Sequence, residues 1–234
     1  MRNELRYTDS LWVLSGTIGA LIAVGGIALL LMDRVILVEE LQESLLWVVL
    51  LTWQLMTIVV VFLVVQRRGD FSLLLRLNKF PDLNLIFLTL GAAYIVLFTY
   101  GAVIVFLETI FGIDLSFLKE TNSIPSAGSD GRPVFAWVLI GLAAIIGAPI
   151  SEELLYRGVI FQSLSSKVTP RWGAVISAGL FGLAHLSIGA LIPIFCIGLI
   201  FSRALHKYEN LWVPIGAHIG FNSVGYLVTL FFEL

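Results

Sequence analysis

The chain has 234 residues, of which 59% are hydrophobic and only 13% are charged, with a formal net charge of −2 at pH 7. An ordinary soluble domain is about 45–50% apolar and about 25% charged, so the composition excludes a soluble globular enzyme and a disordered protein. The net charge does not indicate a basic surface for binding nucleic acid. The single cysteine excludes a disulfide within the chain. The composition predicts a polytopic membrane protein.

Seven apolar segments follow one another along the chain, each a candidate for the roughly 20 residues that a spanning helix needs. They cover residues 11–32, 44–65, 84–107, 134–164, 172–187, 189–202 and 211–232. The sequence therefore predicts an all-α integral membrane bundle of about seven transmembrane helices. A re-entrant or split segment among the last four would change the number by one.

Lysine and arginine are distributed unevenly between alternate loops. Ten of the 14 basic residues lie in the N-terminal tail and in the second, fourth and sixth loops, and three lie in the other loops. Because cytoplasmic loops carry an excess of basic residues, we expect a cytoplasmic N-terminus and an external C-terminus. Short tails and loops fit a bacterial cytoplasmic (inner) membrane protein.

Two of the loops are long. Residues 66–82 are expected to connect two helices on the cytoplasmic side, with an amphipathic helix in the membrane interface as the alternative. Residues 108–133 contain a run of turn-forming residues and are expected to form an external loop.

Ionisable side chains are confined to the second half of the apolar segments. The first three segments contain none, whereas the last four contain Glu152, Glu153, Arg157, His185 and His218. An ionised group at the centre of a spanning helix costs about 2.5–3.5 kcal/mol on insertion scales, so such groups usually serve a function. Their concentration in neighbouring segments indicates one polar site. His206, beside Lys207 at a helix end, is interpreted as solvated.

The spacing of the polar residues predicts how they pair, because residues four apart share one face of an α-helix. Four such pairs occur: Glu153 with Arg157, Glu152 with Tyr156, Phe181 with His185, and His218 with Asn222. Each pair alone is explained as a structural ion pair or a packing contact. Their joint occurrence on successive segments favours a functional site.

This set of side chains suits hydrolysis by an activated water. A glutamate without its own arginine partner, in a partly desolvated cavity, can act as a general base on water. One imidazole can position that water or carry its proton. A second imidazole and an amide can donate hydrogen bonds to a developing oxyanion. The residues therefore indicate cleavage of a peptide bond within the membrane.

Three motifs occur in a fixed order on these segments. Residues 149–158 contain an EExxxR motif, residues 181–185 an FxxxH motif and residues 218–222 an HxxxN motif. The ordered set resembles that of the CPBP family, the CAAX proteases and bacteriocin-processing enzymes also called the Abi family, over about residues 134–230.

The resemblance implies a role for each motif residue. Glu152 would activate water with the help of His185, and His218 with Asn222 would form the oxyanion hole. The remaining motif residues would organise the site, namely Glu153 and Arg157, with Phe181 and Tyr156 beside them.

Metal dependence is left open by the sequence. No HExxH motif is present, and glutamate-dependent catalysis without a metal cofactor is favoured. The alternative is a divalent metal such as zinc, held by Glu152, His185 and His218 with one open position.

We therefore expect membrane helices 1–3 in residues 1–133 and a catalytic membrane domain in residues 134–234. The expected activity is that of an intramembrane endopeptidase on a membrane-associated peptide or protein, in contact with membrane lipid. One alternative is a non-catalytic scaffold or bacteriocin-immunity protein that binds a peptide in the same cavity. A proton-coupled transporter is disfavoured because the chain shows no inverted repeat.

Overall fold

The computed structural model describes residues 4–34, 39–119 and 134–232, and within these ranges it is helical without strands. The helices are α1 (Tyr7–Arg34), α2 (Glu39–Gln66), α3 (Phe71–Leu74), α4 (Leu83–Phe111), α5 (Val134–Ser165), α6 (Pro170–Ala184), α7 (Ile188–Tyr208) and α8 (Trp212–Phe232). A single 3₁₀ turn, Ser116–Leu118, follows α4.

Every apolar segment predicted from the sequence corresponds to a helix, wholly or over most of its length. Helices α1, α2, α4, α5 and α7 are long and apolar enough to cross a membrane. Helices α6 and α8 cover most of the two remaining apolar segments, and residues 185–187 and 211 lie outside them. The predicted fold class, an all-helical membrane bundle of about seven spans, is confirmed.

The outer surfaces of the helices are apolar. On α4, for example, Phe87, Leu88, Ile95 and Phe98 are exposed. Lipid tails are as apolar as these side chains, so such a surface is stable in a bilayer.

Helix α5 occupies the centre of the bundle. It contacts α1, α2, α6, α7 and α8, whereas the other helices pack mainly in pairs: α1 with α2, α6 with α7, and α4 with α8. All nine residues of α5 from Glu153 to Phe161 are buried. Charged side chains on this part of α5 are therefore surrounded by protein and kept away from lipid.

Helix α5 is not α-helical throughout, although the sequence argument assumed α-helical spacing. Two π-helical segments, Leu142–Gly147 and Glu153–Phe161, flank the turn that contains Pro149. In the first, the N–H of Ala148 donates to the carbonyl of Ala143, five residues back. The next N–H in this register would belong to Pro149, which has none. The carbonyl of Ala144 is thus left for another donor.

The segment 66–82 packs onto the bundle. Its only regular element within the described structure is the one-turn helix α3, where Asp70 accepts hydrogen bonds from the N–H groups of Ser72 and Leu73. These hydrogen bonds, that of Leu73 first, lower the pKa of Asp70. Leu75 is fully buried. The connecting segment predicted from the sequence is present. In place of the alternative, a longer interfacial helix, it contains the one-turn helix α3. Of the predicted external loop 108–133, residues 120–133 lie outside the described residues.

A buried carboxylate ties the start of α1 to the end of α2. Asp9 is 2% exposed and accepts hydrogen bonds from Nε and Nη2 of Arg68, at 3.0 and 2.8 Å from its Oδ1. This hydrogen bond raises the pKa of Arg68 above its usual value. Next to it, the hydroxyls of Ser10 on α1 and Ser163 on α5 are hydrogen-bonded.

We expect Asp9→Ala to lower the free energy of unfolding by about 1–2 kcal/mol, because Arg68 would lose its carboxylate partner. Thermal unfolding in detergent measures this effect. Lys79→Gln is the control, since Lys79 and Glu209 form an exposed pair at 4.0 Å and such pairs add little stability. Equal effects of the two substitutions would contradict the prediction.

Candidate active site

The two adjacent glutamates of α5 have opposite surroundings. The side chain of Glu153 is completely buried, and its Oε1 accepts hydrogen bonds from Nη1 of Arg157 at 2.8 Å and from Nδ1 of His218 at 2.9 Å. The side chain of Glu152 is 25% exposed, and its Oε2 lies 3.8 Å from Nε2 of His218. One carboxylate is neutralised inside the protein, and the other is accessible.

Aromatic faces complete the surroundings of Arg157. The guanidinium carbon of this fully buried residue lies 4.2 Å from the ring centroid of Phe181 and 5.4 Å from that of Phe201. Its Nε and Nη2 have no hydrogen-bond partner among the described atoms. Cation–π attraction, worth about 2 kcal/mol or more when desolvated, replaces those hydrogen bonds in part.

His218 lies between the two glutamates. Because an ionised carboxylate can only accept a hydrogen bond, Nδ1 of His218 carries the proton that is donated to Glu153. In the neutral imidazole, Nε2 then has the lone pair, and this nitrogen faces Glu152. His218 can donate from Nε2 only as an imidazolium.

His185 caps the C-terminal end of α6 and is half-buried. Its Nδ1 donates a hydrogen bond to the carbonyl of Phe181 at 2.8 Å, so Nε2 bears the lone pair of the neutral ring. The ring of Phe181 lies between the two imidazoles, 4.9 Å from that of His185 and 5.9 Å from that of His218. Glu152 is within electrostatic reach of both.

Asn222 on α8 contacts the first π-helical segment of α5. Its Nδ2 donates to the carbonyl of Ala144 at 2.7 Å, the carbonyl that the missing N–H of Pro149 leaves over. Asn222 keeps one further N–H. The side chain predicted to serve an oxyanion hole thus replaces a backbone hydrogen bond that α5 lacks.

Tyr156 is buried and belongs to the same aromatic group. Its ring centroid lies 5.2 Å from that of Phe181, and its carbonyl accepts a hydrogen bond from the hydroxyl of Ser177 at 2.7 Å. The structure therefore brings seven of the eight sequence-predicted side chains together around Phe181, whereas Asn222 contacts α5 at Ala144, eight residues before Glu152. The catalytic roles of all eight stay predictions.

The sequence argument missed three residues that shape this site. Phe201 packs on Arg157 and His218. Gly198 allows the close approach of α7, because a Cβ there would lie 3.1 Å from Nη2 of Arg157. Gln54 on α2 donates to the carbonyl of Ala143 at 3.2 Å. A buried amide in an otherwise apolar segment was a signal for Gln54, whereas Gly198 and Phe201 resemble any packing residues.

The ligands of the alternative metal site are Glu152, His185 and His218, and metal dependence stays a prediction. Among the described residues, no group of three or more His, Cys, Asp or Glu side chains is placed to hold a metal ion. No step of the mechanism below is therefore routed through a metal held by Glu152, His185 and His218.

We expect Asn222→Ala to destabilise the protein by about 1–3 kcal/mol, because the partly buried carbonyl of Ala144 would lose its donor. Pro149→Ala restores a backbone N–H that can bond to this carbonyl. The double substitution should thus cost less than the sum of the two single ones, a coupling of about 1 kcal/mol. A double-mutant cycle of thermal unfolding measures it, and strictly additive effects would show that Asn222 does not serve this carbonyl.

Comparison with known proteins places the similarity on the part of the chain that carries the site. Residues 134–224 match the family model described as type II CAAX prenyl endopeptidase Rce1-like. The chain is 31% identical over 86 residues to the protein named "Putative membrane peptidase YdiL" of Bacillus subtilis (strain 168), covering 37% of this chain and 35% of that protein. It is 33% identical over 95 residues to the "Uncharacterized 24.3 kDa protein" of Escherichia coli, covering 38% of this chain and 44% of that protein.

The matched region is thus less than half of either relative's length. No solved structure matches the chain. The matched residues run from the start of α5 into α8 and include all three motifs. Over residues 134–224 the chain is therefore similar to the type II CAAX prenyl endopeptidase Rce1-like family, which confirms the family resemblance.

Proposed function

We propose that the chain is an intramembrane endopeptidase that hydrolyses a peptide bond of a membrane-associated peptide or protein. The family match and the relative named as a membrane peptidase support the class. The observation that carries the proposal is the contrast between the accessible Glu152 and the fully buried, ion-paired Glu153. Two carboxylates in unlike environments commonly divide into one reactive and one structural group.

The first step is attack by water on the scissile carbonyl carbon. The carboxylate of Glu152 accepts a proton from the water, whose oxygen forms the new bond to carbon while the C=O electron pair moves to oxygen. Nε2 of His185 accepts the second hydrogen bond of the water and so orients it. The hydrogen bond from Nδ1 to the Phe181 carbonyl fixes the tautomer that leaves Nε2 an acceptor.

The negative charge on oxygen is then met by donors from α8. His218 donates from Nε2 in its imidazolium form, while Nδ1 donates to Glu153. The remaining N–H of Asn222 is the second donor. Collapse of the tetrahedral intermediate breaks the C–N bond, and the protonated Glu152 returns its proton to the leaving amine nitrogen.

Arg157 and Glu153 position this machinery without touching the substrate. The guanidinium neutralises Glu153, and Glu153 orients the ring of His218 through Nδ1. Phe181 and Phe201 keep the guanidinium in place.

We further infer that residues 134–234 form the catalytic domain and that the helices of residues 1–133 support it. The hydrogen bond from Gln54 on α2 to the carbonyl of Ala143 on α5 supports this assignment of a catalytic and a supporting part. A bacterial cytoplasmic membrane, with the N-terminus inside, is inferred from the basic loops and from the bacterial relatives.

Substitution of the two glutamates should affect different quantities, cleavage in the case of Glu152 and stability in the case of Glu153. Glu152→Gln removes the general base, so cleavage should fall at least 10²–10⁴-fold with little change in the unfolding temperature. Glu153→Gln leaves Arg157 buried without a counter-charge, so the free energy of unfolding should fall by about 3–5 kcal/mol. Cleavage of candidate membrane peptides, followed by mass spectrometry, and thermal unfolding in detergent measure the two effects.

Glu209→Gln, an exposed glutamate beyond α7, is the matched control and should change neither quantity. Unchanged cleavage by both Glu152→Gln and His185→Ala would refute the assignment. A wild-type protein that binds the peptides and cleaves none of them would indicate the scaffold or immunity alternative.

A further inference from the structure

A cavity of about 420 Å³ opens between the first turns of α6 and the last turns of α7, away from the candidate active site. Its volume is in the range of about 300–1,000 Å³ that is typical of small-molecule sites. Its lining includes three basic side chains, Arg171, Arg203 and His206, and an apolar wall of Phe161, Val175 and Leu199.

The basic side chains of this cavity are not neutralised within the described structure. No acidic residue lines the cavity, and the ion pairs found among the described residues involve other arginines and lysines. Arg171 and Arg203 are exposed. Two uncompensated guanidinium groups at the mouth of one cavity favour an anion as its occupant.

The cavity lies at the ends of two neighbouring helices. Helix α6 begins at Pro170 and α7 ends at Tyr208, so the basic residues stand at the ends of two neighbouring membrane helices. Trp172, one residue from Arg171, is 62% exposed, and exposed tryptophan is enriched at membrane–water interfaces.

We propose that this cavity binds an anionic phospholipid. The phosphate lies between Arg171 and Arg203, and the first acyl carbons lie along Phe161, Val175 and Leu199. A soluble anion would leave the apolar wall uncovered, and a zwitterionic lipid would leave the two arginines with less net negative charge opposite them. Basic pockets between membrane helices are known to suit anionic headgroups. The proposal is independent of the proteolytic function.

The test compares lipids on the purified full-length protein. Detergent-solubilised protein is titrated with phosphatidylglycerol, phosphatidylcholine or soluble glycerol phosphate, and bound lipid is counted by native mass spectrometry alongside thermal unfolding. We expect retention and stabilisation by phosphatidylglycerol alone. The double variant Arg171→Gln/Arg203→Gln should bind it roughly tenfold or more weakly, since each basic residue near an anionic lipid contributes about fivefold.

The matched control is Arg67→Gln/Lys207→Gln, which removes two exposed charges from the same end of the bundle outside the cavity. It should bind phosphatidylglycerol like the wild type. Equal retention of both lipids by the wild type, undiminished binding by the cavity variant, or equal stabilisation by glycerol phosphate would each overturn the proposal. A double variant that fails to fold is replaced by the single variants Arg171→Gln and Arg203→Gln, each of which should weaken phosphatidylglycerol binding about fivefold, and undiminished binding by both would overturn the proposal.

Discussion

The buried ion pair between Glu153 and Arg157 is the interaction on which the rest of the bundle depends. Ionised groups at membrane depth almost always face the protein interior or a water-filled cavity, and most of them are paired. In this protein α5 is the central helix, and the rings of Phe181 and Phe201 pack on the guanidinium of Arg157. His218 is attached to the same carboxylate, so the position of α8 follows from the charge on α5.

The irregular backbone of α5 links this charge cluster to both halves of the chain. Two neighbouring carbonyls of the first π-helical segment accept side-chain amides, Ala143 from Gln54 on α2 and Ala144 from Asn222 on α8. π-helical turns are frequent at functional sites. Here such a turn widens the helix just before the two glutamates, and a helix from each half of the sequence holds it in shape.

Local information was sufficient for much of this architecture. Hydropathy located the seven helical segments, and four-residue spacing predicted the contact of Glu153 with Arg157 and that of Phe181 with His185. The π-helical turns, the bond from Asn222 to Ala144 and the packing of Phe201 were not predictable, because they depend on which helices become neighbours. Pro149 indicates from the sequence alone that one backbone N–H donor is missing. The side chain that donates instead, that of Asn222, lies 73 positions away along the chain.

The short length of α6 creates a hydrophobic mismatch at the site. Its 15 residues rise about 22 Å, less than the roughly 30 Å of hydrocarbon that α4 and α5 can traverse. The helix ends at His185, and Leu186 follows it with a left-handed backbone and 91% exposure. A short span is accommodated by local thinning of the bilayer, by snorkelling of flanking residues or by oligomerisation. Thinning beside this turn would shorten the path of bulk solvent to the proposed hydrolytic site.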